Sequence, residues 1–126
     1  MAASNPTSAS MPRSLAWCTG SLTRMVVQLF VTCLVDGFAP QVGRATVRVL
    51  EANGQTVEFP FDQTCCGQPA LNAGLRDDAR AMALHTVAVL DDTEGPIIVP
   101  SGSCAEMMIH RFGELLSSGP ESAAAK

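Results

Sequence analysis

The sequence predicts an α/β domain, a three-layer βαβαβα fold around a small parallel sheet, and three observations carry that expectation. Three short runs rich in β-branched and apolar residues recur along the chain, a stretch with helical apolar spacing follows each of them, and turn residues separate the segments. Strands that alternate with helices need crossover connections, which make neighbouring strands parallel and lay the helices over the sheet. The 126 residues suit one domain, long enough to bury a core without staples, and contain no internal repeat.

The first strand is expected at residues 25–32 (MVVQLFVT), a near-continuous apolar run of the kind covered on both faces. Val42, Ala45, Val49 and Leu50 then share one side of a helix over 42–52, and Asn53-Gly54 stops it. Residues 56–59 make a short second strand. After the turn at Cys65-Cys66-Gly67, Asn72 is placed to cap a helix over 73–90 whose apolar face is Leu75, Ala79, Met82, Ala83, Val87 and Leu90. Residues 96–99 form the third strand, and Ser101 or Ser103 caps a last helix reaching about Leu116. The folded domain is thus expected to span 25–116.

The two ends read differently. Residues 1–24 lack Asp and Glu, carry Arg13 and Arg24, and are rich in Ser, Thr and Ala, a transit-peptide-like composition. A start at Met25, which opens directly onto the first strand, is the plainer reading, so 1–24 is expected to be an over-extended start or a disordered leader. A lipoprotein signal ending at Cys33 is opposed by Thr32, which stands where a small Gly, Ala or Ser is usual. Residues 117–126, mostly Ser, Gly, Pro and Ala, are expected to form a flexible tail.

Composition excludes several function classes. The formal charge is −4 and the basic residues are scattered, so there is no cationic stripe for nucleic acid. The longest apolar run covers 25–35, about 11 residues, where a membrane-spanning helix needs about 20. Gly95, Gly102 and Gly113 lack the spacing of a nucleotide-binding glycine fingerprint. Five cysteines are an odd number and two are adjacent, which fits a secreted disulfide framework poorly. Thiolates serving as metal ligands in a reducing cytoplasm fit better.

Ligands of open parallel sheets bind beyond the carboxyl ends of the strands. Cys33 follows the first strand, Cys65 and Cys66 lie past the second, and Cys104 follows the third through Pro100-Ser101-Gly102-Ser103. Four of the five cysteines are therefore expected at one sheet edge, with Cys18 in the leader standing apart. Cys104 falls at a helix N-terminus, where N–H groups and the dipole should lower a thiol pKa. Gly67 and Gly102 would let backbone N–H groups approach an inorganic sulfide. An iron-sulfur cluster fits this set. Structural zinc also takes four thiolates, but the paired Cys-x-x-Cys knuckles of a zinc ribbon are absent, the nearest approach being Ser101-x-x-Cys104. Any one cysteine read alone could be a small buried hydrophobe. His85 and His110 fall on helix bodies and are expected to be ordinary surface residues, so no catalytic thiolate with its base is expected.

Four separated motifs in order carry a resemblance. They are residues 29–36 (LFVTCLVD), 40–46 (PQVGRAT), 63–74 (QTCCGQPALNAG) and 99–104 (VPSGSC). Together they resemble the cysteine-rich CCG-domain proteins of the lactate utilization protein A type, whose relatives include a heterodisulfide reductase subunit and the glycolate oxidase iron-sulfur subunit. The family pattern is a cysteine, some thirty residues, Cys-Cys-Gly, a similar gap, then Cys-x-x-Cys. Cys33, Cys65-Cys66-Gly67 and Cys104 match it, and Ser101 takes the place of the first cysteine of the last pair. Family members usually carry two such motifs, and this chain has one, a single CCG half-domain.

The resemblance implies that Cys33, Cys65, Cys66 and Cys104 ligate a 4Fe-4S type cluster, the non-cubane kind being one form of it, with Gly67 and Ser101 beside it. It further implies an electron-transfer subunit of a cytoplasmic oxidoreductase complex that oxidises L-lactate or a similar 2-hydroxy acid to the 2-oxo acid. Partners would then be the other subunits, including a ferredoxin-like iron-sulfur subunit. The competing expectations are a zinc-stabilised binding or assembly domain and a metal-free truncated half-domain.

Overall fold

The computed structural model describes residues 24–118, so the expected leader, apart from Arg24, most of the tail and Cys18 lie outside the described residues. Three parallel strands form the sheet: β1 (Val26–Leu29), β2 (Thr56–Glu58) and β3 (Ile97–Ile98), in the order β2-β1-β3. The chain steps from β1 to one side, then crosses over it to the other. With right-handed crossovers, that reversal sends the two sets of connecting helices to opposite faces. The parallel α/β architecture is as the alternating pattern predicted. Its helices are α1 (Cys33–Phe38), α2 (Pro40–Ala52), α3 (Gln68–Asn72), α4 (Arg76–Asp91), α5 (Gly102–Glu106) and α6 (Phe112–Ser117). Helix α2 packs on α1 and β2, whereas α4 packs on α3 and α6.

Every strand is shorter than its apolar run. At β1, Phe30 N–H still donates to Ile98 O at 2.9 Å, but Val31 N–H donates to the Gln63 side chain at 2.7 Å, which ends the ladder. The chain then turns into α1, a helix the sequence did not announce. Thr32 starts it as N-cap, its hydroxyl accepting from Val35 N–H at 3.3 Å. Helix α2 begins at Pro40, two residues early, because proline suits the first helical turn. Its buried position is Gly43, set against Val35, while Val42 and Val49 are exposed, so the face expected from Val42, Ala45, Val49 and Leu50 is rotated.

Asn72 is not the cap of the long helix. It ends α3, and Gly74, at φ 81°, breaks the chain before α4 begins at Arg76 with no side-chain cap. The buried stripe of α4 is Ala79, Ala83 and Thr86, with Leu75, Met82 and Val87 left substantially exposed. Small residues win that face because the backbone of another segment comes close to it. A Cβ on Gly67, itself at φ 85°, would sit 3.0 Å from Ala79 O and 3.2 Å from Met82 Cβ.

The last helical stretch is interrupted. Ser101 occupies the N-cap position of α5 without a side-chain cap bond, and a π-helical segment, Met107–Arg111, separates α5 from α6. The main core joins Phe30, Cys66, Ala79, Ala83, Cys104, Met107, Phe112 and Leu115. Two of the four candidate ligands are therefore core residues. No described helix is long and apolar enough to cross a membrane.

Candidate metal centre

The four cysteines arrive from three connections that leave the carboxyl ends of the strands. Cys33 opens α1 directly after β1, Cys65 and Cys66 end the irregular segment after β2, and Cys104 sits in the first turn of α5 after β3. They stand as two pairs. Cys65 Sγ donates to Cys33 Sγ at 3.9 Å, with Cys33 exposed and Cys65 half-buried. Cys66, 1% exposed, and Cys104, 5% exposed, form the other pair, buried in the same core cluster and close enough to interact. The pairs also feel one another electrostatically, Cys33 with Cys104 and Cys66 with Cys65.

The surroundings raise two of these thiols, Cys66 and Cys33. The Cys66 thiol is pushed up to about 12, first by loss of solvation, then by its hydrogen bond and charge coupling to Cys104 and its coupling to Cys65; a Gln68 N–H opposes the shift. Cys33 is exposed as a residue, yet desolvation of its thiol is again the largest cause raising it, followed by Cys65 and Cys104, with the Leu34 N–H opposing. Four neighbouring thiols cannot all ionise without a cation among them. A metal that replaces their protons would remove the repulsion.

Two side chains whose roles were not evident from sequence hold the Cys65 segment in place. Gln63 is the first: besides accepting from Val31 N–H, its Nε2 donates to Leu29 O at 3.1 Å and to Pro60 O at 2.9 Å. It ties the loop to the end of β1, two residues before Cys65. The second is His85 on α4, whose Nε2 lies 2.7 Å from Asp62 O. His85 is exposed, as expected of a surface histidine, but it is fastened to the cysteine loop. His110 is exposed within the π-helical segment.

The other expected contributors divide. Gly67 is required by its backbone conformation and by its packing on α4, while the space in front of Gly102 is open. Ser101 Oγ is 3.3 Å from Ser103 Oγ. A hollow of about 220 Å³ opens at the exposed pair, walled by Val31, Cys33, Asp36, Phe59, Gln63, Thr64 and Cys65. A larger apolar groove of about 500 Å³ lies between α4, β3 and the π-helical segment and holds none of the cysteines.

The donor chemistry fits a thiophilic metal group, since four thiols from three connections share one edge and the Leu34 and Gln68 N–H groups favour charged sulfur at Cys33 and Cys66. The Cys33–Cys65 separation of 3.9 Å is near what one tetrahedral ion needs, but the two pairs are not drawn together into one set. Zn–S bonds of about 2.3 Å would bring all four sulfurs within about 3.8 Å of each other. Among the described residues no three His, Cys, Asp or Glu side chains are gathered to hold a metal ion.

No solved structure matches the chain. Lactate utilization protein A of Shouchella clausii is 48% identical over 97 residues, which make up 77% of this chain and 40% of that protein. The protein of the same name from Halalkalibacterium halodurans is 49% identical over 96 residues, 76% of this chain and 38% of its own. Lactate utilization protein A 2 of Bacillus cereus is 44% identical over 97 residues, again 77% and 40%. The chain thus spans about two-fifths of the length of these curated relatives. Residues 27–109 match the family described as the CCG cysteine-rich domain. The match takes in Cys33, Cys65, Cys66 and Cys104, and the chain belongs to the CCG cysteine-rich domain family.

Proposed function

We propose that this chain is an iron-sulfur electron-transfer subunit of a complex that oxidises L-lactate or a similar 2-hydroxy acid. The observation that carries the reading is the convergence of Cys33, Cys65, Cys66 and Cys104 at the carboxyl edge of the sheet. Relatives that match this chain are named for lactate utilization, which supports the substrate class. A bound cluster of the 4Fe-4S type would supply one-electron steps.

The chain's own residues supply the rest. Cys33 and Cys65 offer thiols on the solvent side, and Cys66 and Cys104 anchor the other side in the core. The Leu34 and Gln68 N–H groups stabilise sulfur in its charged form. Gln63 and Thr32 orient the two segments that deliver Cys65 and Cys33. Ser101 leaves an oxygen where the family pattern has a fifth sulfur, so cluster binding rests on four cysteines. Substrate dehydrogenation would belong to partner subunits, with a ferredoxin-like subunit next in the relay, in a cytoplasmic setting.

The test is anaerobic purification followed by assay of iron, inorganic sulfide and zinc, with visible absorption before and after dithionite. Iron and sulfide in similar amounts, with absorption that bleaches on reduction, is the expected result. One zinc per chain with no iron and no visible absorption would overturn it in favour of a structural zinc domain.

A further inference from the structure

We propose that, in the metal-free chain, Cys33 and Cys65 are an oxidation site that closes to a disulfide while Cys66 and Cys104 stay reduced. The inference rests on the reading above only where it concerns loading of the metal centre.

Geometry selects the pair. The Cys33 and Cys65 sulfurs are already in contact at 3.9 Å, and the hollow beside them gives a small oxidant a way in. A disulfide needs about 2.05 Å between sulfurs, so they must approach by roughly 2 Å. Cys33 stands at the first residue of α1 and Cys65 in an irregular segment, and neither belongs to a strand or to the interior of a helix. Cys66 and Cys104 are neighbours too, yet both are locked in the core with Phe30, Met107 and Phe112. An oxidant cannot reach them without opening the fold.

The chemistry balances with a small-molecule disulfide such as oxidised glutathione as the oxidant. One thiolate of the pair attacks it, forming a mixed disulfide and releasing one glutathione thiol. The second thiolate attacks the mixed disulfide, forming the Cys33–Cys65 bond and releasing the other glutathione thiol. The protein loses two electrons and two protons, and the oxidant gains both. Closure would remove two of the four thiols from the metal centre, so a metal-free chain exposed to oxidant would refuse iron until reduced. The site would then carry its own record of thiol redox state.

The experiment uses the full chain, stripped of metal under reducing conditions, then treated with oxidised glutathione and digested without reductant. The expected product is a Cys33–Cys65 linked peptide, with Cys66 and Cys104 alkylated as free thiols after unfolding. A linkage involving Cys18, Cys66 or Cys104, or only stable mixed disulfides, would overturn the proposal. Cys33→Ser and Cys65→Ser should each abolish the linkage while keeping the fold, checked by circular dichroism. In a second arm, iron and sulfide uptake should fall to background after oxidation and return after a dithiol reductant. Undiminished uptake by the linked chain would refute the gating. If the reduced chain takes up no iron at all, the cluster reading fails while the disulfide map still stands or falls by itself.

Discussion

Cys33 with Cys65, and Cys66 with Cys104, are two pairs of the same residue type a short distance apart, and the fold treats them differently. The first pair borders solvent and is set by local devices, a helix cap at Thr32 and the side-chain bonds of Gln63. The second pair is part of the main core and is set by packing of α4, α5 and the π-helical segment. The comparison teaches that one metal centre can have a stable floor and an adjustable rim. The floor exists without metal, because buried thiols cost little when they remain neutral. On the proposed reading, the rim is where metal would enter, leave or be refused.

Reactivity should separate the pairs most. With Cys66 pushed from 9.0 to about 12, its thiolate at neutral pH is roughly a thousandfold scarcer than that of an ordinary thiol. In the reduced, metal-free chain, a time course of iodoacetamide labelling read by peptide mass spectrometry should show Cys33 and Cys65 modified well before Cys66 and Cys104. Equal rates would erase the distinction between the pairs.

The same displacement has an alkaline consequence. A thiol whose folded pKa is raised favours the fold while both states are protonated, and that contribution is lost once the unfolded chain ionises first. Stability of the metal-free chain should therefore hold below about pH 9 and fall between pH 9 and about 12, as followed by urea unfolding. Cys66→Ala should flatten that fall, and an unchanged slope would show that other groups cause it.

Substitution effects come next. Cys66→Ser and Cys104→Ser each place a hydroxyl in the core and should cost the metal-free protein about 1–3 kcal/mol. Thr32→Ala should cost about 1 kcal/mol for a lost helix cap, and its sharper signature is faster hydrogen exchange in α1 alone. Smallest should be Cys33→Ser on the exposed rim, within about 0.5 kcal/mol. A larger loss for Cys33→Ser than for the two core variants in denaturant titrations would contradict the division into floor and rim.

Much of this was legible in the sequence for a simple reason. The three strand-like runs place the connections that follow them at one sheet edge, and the four cysteines lie in those connections. The division between the pairs was not legible, because it depends on which face α4 buries. Ala79 and Ala83 were on the expected face of α4, but Leu75, Met82 and Val87, expected with them, are exposed and the buried Thr86 was not expected; Gly67 packs against Ala79, and Cys66 beside it lies in the core. Helices α1 and α3 are too short to show a period. The role of Gln63 depends on partners more than 30 residues away, which no local pattern reports.

The most direct measurement is iron bound per chain after anaerobic reconstitution of the wild type and of four single variants, Cys33→Ser, Cys65→Ser, Cys66→Ser and Cys104→Ser. If the pairs are floor and rim of one centre, all four variants lose stable iron, including the two on the rim, whose folds are expected to be unharmed. Full iron retained by a folded Cys33→Ser or Cys65→Ser variant would contradict a shared centre.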